Sequence, residues 1–170
     1  MAIMSRKSKE FSKLLQDKKT KQVIKNNIYQ KMEQRVNQGP LGKEKEVTLV
    51  RDLPGEEKMS EVLHAFCAPY ITDSTTPTED RFMVSIAVMA WNLALIDEEA
   101  QRQAMTNSLI EKVETSVQPE AILILRELVE ELIARKKQHF NHINRFIVEY
   151  EMQQTKTGFD LFVASTRSTP

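Results

Sequence analysis

The most apolar stretch of the chain is Arg81-Phe-Met-Val-Ser-Ile-Ala-Val-Met-Ala-Trp-Asn-Leu-Ala-Leu-Ile96, where only Ser85 and Asn92 are polar between Phe82 and Ile96. A helix apolar all round has no face to give to water, so this run reads as a central buried helix. Ser85 and Asn92 are expected on opposite sides of it. At ~1.5 Å per residue it spans roughly 22 Å, short of the ~20 apolar residues that a bilayer crossing needs. Its flanks are acidic (Glu79 and Asp80 before, Asp97, Glu98 and Glu99 after), which suits a core helix better than a membrane span. Thr76-Pro77-Thr78-Glu79 ahead of it is a capping box with proline at the first helical position, a start signal.

Helical spacing recurs on both sides. Met59, Val62, Leu63, Phe66 and Tyr70 form one stripe of a helix over about Glu56 to Ala68, which Pro69 ends or kinks. Asp97 reads as the N-cap of a helix from Glu98 to about Thr115, with Met105, Leu109, Ile110 and Val113 inward. Pro119 opens another, to about Phe140, with Ile122, Leu125, Leu128, Val129, Leu132 and Ile133 inward and Arg135, Lys136 and Lys137 in its last turns. Acidic starts and a basic end match the helix dipole.

The period then changes to two. Alternate positions Phe146, Val148, Tyr150 and Met152 are apolar with Glu149 and Glu151 opposite, and after a Gln-Gln-Thr-Lys-Thr-Gly158 turn Phe159, Leu161 and Val163 alternate with Asp160. That is the pattern of a half-buried β-hairpin. Val47-Thr-Leu-Val50 is β-prone and a candidate third strand, closed by the turn Leu53-Pro54-Gly55.

At the N-terminus, Phe11, Leu14 and Leu15 form one apolar cluster and Val23, Ile24, Ile28, Tyr29, Met32 and Val36 another. The second keeps i, i+4, i+8 spacing; QDKKTKQ between them breaks the face. Asn37-Gln38-Gly39-Pro40-Leu41-Gly42 stops this arm. The expected organisation is a basic helical arm (1–38), a linker or short strand (39–55), a helical body with a C-terminal hairpin (56–166) and a loose tail (167–170). The fold class is mainly α, a helical bundle-like domain with a central buried helix.

Charge sharpens this division. Residues 1–46 hold 12 Lys/Arg and 5 Asp/Glu, a balance of +7, and the remaining 12 Lys/Arg and 19 Asp/Glu give −7 over residues 47–170. A basic arm sits on an acidic body, which favours self-association, a protein partner, or an anionic one. One Cys in 170 residues cannot form an internal disulfide, and no apolar signal segment opens the chain. A cytoplasmic, reducing location is the expectation.

The run AWNLALIDEEAQRQ, with MSEVLHAFCAPY before it and RFIVEY and TGFDLFVAS after, resembles small bacterial helical proteins with an Ala-Trp-Asn core helix and a C-terminal hairpin. The resemblance covers roughly Met59 to Thr166 and leaves the arm outside. That group has no assigned activity, so the resemblance implies a fold and no chemistry.

Candidate chemistry is sparse. All three histidines and the one cysteine fall in two i, i+3 pairs, His64 with Cys67 and His139 with His142. Residues three apart share a helix side, so the four could close a tetrahedral zinc shell. Against this, Cys67 lies on the Phe66 stripe as a small apolar residue would, and imidazoles commonly follow a basic helix end. Glu61-Val-Leu-His64 is half of a carboxylate-bundle di-iron pattern, but no second Glu-x-x-His exists. A Cys67–His pair has no local signature of a nucleophile, and no phosphate loop, dinucleotide fingerprint or serine elbow is present. Asn92, with Trp91 and Ser85, is either a structural hydrogen-bonding group or part of a small pocket; Trp91 is expected in the core with its indole N–H on a carbonyl.

Lys13, Lys18, Lys19, Lys21 and Lys25, with Ile24, Ile28, Tyr29 and Met32, make the arm the expected contact surface. Lysine without much arginine or aromatic interleaving signals non-specific electrostatics toward nucleic acid. The reading favoured by the sequence is a non-enzymatic interaction or regulatory module that uses no cofactor, contacts partners through the arm, and forms homo-oligomers. A zinc-binding protein or metalloenzyme, and a non-specific nucleic-acid-binding accessory protein, are the alternatives.

Overall fold

A computed structural model describes residues 2–43, 48–49, 54–114 and 118–166. Among these the chain is mainly α, with helices α1 (Ala2–Gln38), α2 (Met59–Cys67), α3 (Pro77–Ala94), α4 (Glu99–Glu114) and α5 (Pro119–His139). Two strands, β1 (Ile147–Thr155) and β2 (Gly158–Ser165), pair as a C-terminal antiparallel hairpin. The chain divides into two compact units, Met1–Val50 and Arg51–Pro170, within the stretch expected to be the linker. No helix of the described residues is long and apolar enough to cross a membrane. Val47, Val50, Leu53, the side chain of Val113 and the tail 167–170 lie outside the described residues, while Thr48 and Leu49 carry no strand.

In the first unit α1 runs unbroken for 37 residues, about 55 Å. The polar QDKKTKQ segment does not interrupt it, because it holds no Gly or Pro and its Gln and Lys residues are adequate helix formers. Thr20 Oγ1 donates to Gln16 O at 2.9 Å, and Gln22 reaches Asn26 one turn on. The stop falls as expected: Gly39 N donates back to Arg35 O at 3.0 Å, and Pro40 starts a short 3-10 turn. Gly42 closes that turn against the Asn37 backbone, where a Cβ would overlap.

In the second unit α3 packs against α2, α4, α5 and β1. Its start is the full capping box: Glu79 N donates to Thr76 Oγ1 and Thr76 N to Glu79 Oε2 at 2.7 Å. These bonds hold the Glu79 carboxyl below its ordinary pKa. Val84, Ile86, Ala87, Ala90, Trp91 and Leu93 are buried, but Phe82 is 52% exposed, so the helix is not covered all round as its composition suggested. Ser85 and Asn92 do not lie on opposite sides either. Seven residues is close to two turns, so both face the hairpin.

Three rings meet at the centre edge to face: Phe66–Trp91 at 5.3 Å, Phe66–Phe140 at 5.6 Å and Trp91–Phe140 at 5.8 Å. Such edge contacts place positive ring edges on negative faces. α2 is shorter than expected, beginning at Met59 after an uncapping Lys58, and Pro69 sits within a 3-10 turn, Ala68–Tyr70, that continues it. Helix α4 begins at Glu99 with Arg102 N bonded to Glu98 O. Glu98 thus occupies the cap position, and Asp97 lies one residue outside. Met105 is exposed, and Thr106 takes the inward place with its hydroxyl donated to Arg102 O at 2.9 Å.

The hairpin departs from strict alternation. Phe146 is exposed, and Ile147 is buried instead. A bulge between Ile147 and Glu149 explains this: one extra residue shifts the phase of the strand. Ile147, Tyr150 and Met152 then face the same way, opposite Ser165, Val163 and Leu161. β1 also runs to Thr155, leaving Lys156-Thr157 as the turn and Gly158 at φ +147°, a conformation suited to glycine.

Replacing Thr76 by Ala removes the side-chain half of the capping box. The expected loss is about 1 kcal/mol, read as a lower urea midpoint with an unchanged slope.

Candidate functional site

The four candidate zinc ligands do not converge. His64 is exposed on α2, its ring 5.5 Å from Phe159 of β2. Cys67, one turn on, is fully buried, and burial pushes its thiol up to about 12 against the opposing charge of Arg135. His139 is exposed at the end of α5, and His142 Nε2 lies 3.4 Å from Glu57 Oε2. Among the described residues no group of three or more His, Cys, Asp or Glu side chains is placed to hold a metal ion.

Ser85, Trp91 and Asn92 are structural in their contacts. Trp91 is fully buried and its Nε1 donates to Arg145 O at 2.9 Å. Asn92 meets one residue twice: Nδ2 donates to Ile147 O and Ile147 N donates to Oδ1, both at 2.9 Å. Ser85 Oγ donates to Arg81 O at 2.9 Å and lies 2.6 Å from Tyr150 Oη. A serine has one proton, so with that proton on Arg81 O the phenol is the donor.

Several working residues carry no signal of their own in the sequence. Lys136 is buried, with Nζ donating to Phe140 O at 2.9 Å and Ile143 O at 2.8 Å and lying 4.9 Å from the Trp91 ring. Its apolar surroundings lower its pKa; its position in the inward stripe of α5 was the one available hint. Arg135 donates Nε to Phe66 O and Nη2 to Ala65 O at the end of α2. Arg145 donates to Glu57 O and Thr166 O and ion-pairs with Glu56 at 3.0 Å. Glu56 Oε2 is buried and has no hydrogen-bond donor, so the ion pair alone compensates it. Tyr70 Oη donates to Glu131 Oε1 at 2.7 Å; burial first, then this bond and the Glu131 charge, push the phenol up to about 12.

On α1, Lys13, Lys18, Lys19 and Lys21 are exposed, and Lys25 lies 6.0 Å from the Tyr29 ring centre. Ile28, Tyr29 and Met32 are buried and Ile24 is exposed. The expected contact residues are thus divided: Lys13, Lys18, Lys19, Lys21 and Ile24 face solvent, Lys25 is half-buried, and the later apolar residues are buried. Phe11, Leu14 and Leu15, 62%, 60% and 45% exposed, form a second apolar surface nearer the start of α1. Spacings of three and four keep these three on one side of the helix.

Comparison with family models, curated proteins and solved structures finds no match to this chain. Function therefore rests on the residues alone.

Asn92→Ala leaves Ile147 N–H and C=O without their partner. At ~1–3 kcal/mol per unsatisfied buried group, a loss of about 2–3 kcal/mol is expected in urea unfolding, against a small effect for Ser85→Ala. Tyr70 gives a pH signature. The folded chain keeps its phenol proton between the ordinary value near 10 and about 12, where the unfolded chain loses it, so stability falls as pH rises through that window. In Tyr70→Phe the fall between pH 10 and 12 should be shallower, and the phenolate absorbance step near pH 12 should shrink.

Proposed function

We propose that this chain is a non-enzymatic protein-interaction module that makes contact through the N-terminal half of α1. The observation that carries the reading is the exposed cluster Phe11, Leu14 and Leu15, with Lys13 within it and Lys18 and Lys19 one turn on. Three large apolar side chains side by side on a polar helix are costly to leave in water, and such patches mark interaction surfaces. The surrounding lysines call for a partner surface that is apolar at its centre and acidic at its rim. A second copy of the chain is the first partner to consider, because residues 47–170 carry a balance of −7 against +7 on residues 1–46. The compartment we propose is the reducing cytoplasm, on the single cysteine.

The exposed lysines also support contact with a nucleic-acid backbone. That reading requires no apolar cluster, which separates the two. Sedimentation equilibrium of the full chain, of Leu15→Glu and of a Lys18→Gln/Lys19→Gln pair tests both. We expect an oligomer that Leu15→Glu reduces to monomer and that rising salt only weakens. A monomer at all concentrations removes self-association. Binding to a single-stranded oligonucleotide that is lost in the lysine pair and kept in Leu15→Glu replaces the protein-interaction reading with the nucleic-acid one.

A further inference from the structure

Helix α5 carries an exposed apolar surface of its own, in the acidic part of the chain. Leu123 and Ile124 are 64% and 66% exposed, while Ile122, Leu125, Val129, Leu132 and Ile133 of the same helix are buried. The two adjacent side chains therefore stand on the side of α5 turned away from the core. Carboxylates bracket them. Glu120 lies three residues before Leu123 and four before Ile124, and Glu127 lies four and three after. At those spacings both glutamates share the helix side of the apolar pair. Both are exposed, and among the described residues neither has a cation as partner. Arg126, the only cation between Pro119 and Glu131, is turned to α4, where Nη1 donates to Asn107 Oδ1 at 2.6 Å.

Helix α1 presents the complement. Phe11, Leu14 and Leu15 are exposed together. Lys18 and Lys19 follow Leu15 by three and four residues, exposed and without an acidic partner among the described residues. One face is thus apolar with a cationic edge, and the other is apolar with anionic edges. Contact would cover apolar area on both, and the charges decide which face meets which. Two α1 faces would set lysine against lysine, and two α5 faces glutamate against glutamate. Only the mixed pairing matches.

We propose that Phe11, Leu14 and Leu15 of one copy dock on Leu123 and Ile124 of a second copy, with Lys18 and Lys19 at Glu120 or Glu127. The proposal rests on the self-association read from α1 and names the surface that receives it. Because glutamates lie on both sides of Leu123 and Ile124, the lysines meet a carboxylate whichever way the helices run. Each copy carries one face of each kind, so every copy both gives and receives.

Sedimentation equilibrium of charge-reversed full chains, alone and mixed, tests this. Lys18→Glu/Lys19→Glu gives both faces acidic edges, and Glu120→Lys/Glu127→Lys gives both basic ones. Each alone should associate at least about tenfold more weakly than the unaltered chain, and an equimolar mixture should regain association. Regain requires docking between copies, because α1 lying on its own chain gains nothing from mixing. Leu123→Ser/Ile124→Ser alters exposed positions only. It should also weaken association at least about tenfold, and it gives a reading even if a reversed chain does not fold. The proposal fails if folded reversed chains stay apart on mixing or if the serine pair keeps full association. It fails too if Lys18→Glu/Lys19→Glu alone associates more strongly, which marks α1 pairing with α1. Association lost in Leu15→Glu but kept in the serine pair preserves the α1 reading and removes only this docking surface. A chain that is monomeric throughout removes both.

Discussion

The second unit depends on how α3 grips the main chain that enters the hairpin. Two strands alone are marginal in water, and this pair has no third strand among the described residues. Trp91 and Asn92, adjacent on α3, bond to Arg145 O and to both polar groups of Ile147. Three hydrogen bonds to α3 thereby fix the start of β1. The bulge that follows turns Ile147, Tyr150 and Met152 onto one side, so the grip also sets which residues β1 buries. Ser85, two turns earlier, meets Tyr150 farther along the same strand.

Chain ends in this unit are closed by cations. The chain has only four glycines, and glycine is the usual means of satisfying the last carbonyls of a helix. Arg135 serves the end of α2, Lys136 the turn after α5, and Arg102 the carbonyl of Ile96 just beyond α3. Each reaches carbonyls through a long side chain rather than through a left-handed residue, and each ties two segments together in doing so. Arg145 does the same for Glu57 and Thr166. The basic residues near helix ends are therefore structural as well as matched to the dipole.

Much of the fold was readable because it rests on local rules. The Thr76-Pro77-Thr78-Glu79 start, the stop at Gly39-Pro40, the α5 stripe and the hairpin's two-residue period all depend on neighbours within a few positions. The errors came where the deciding contact is distant. Nothing near Ile147 announces a bulge, and Met105 is as apolar as the residues that do point inward. Lys136 sits at an inward position of a helix, yet its role depends on carbonyls supplied by the following turn. For the candidate sites the same division holds. The i, i+3 spacing of His64 and Cys67 was visible, but only the tertiary structure separates an exposed imidazole from a thiol in the core.

The placement of Cys67 has a practical consequence. Thiol reagents attack the thiolate, and this thiol is both sealed and held near 12. At pH 8 roughly one molecule in 10⁴ would be ionised by that value. Burial and the raised pKa together should make Cys67 of the native chain slow to react with alkylating agents. A single cysteine introduced on the surface can carry a dye or spin label without removal of the native one. Slow reaction at Cys67 itself then counts each opening of the core around Phe66 and Trp91, using a reporter that is already in place.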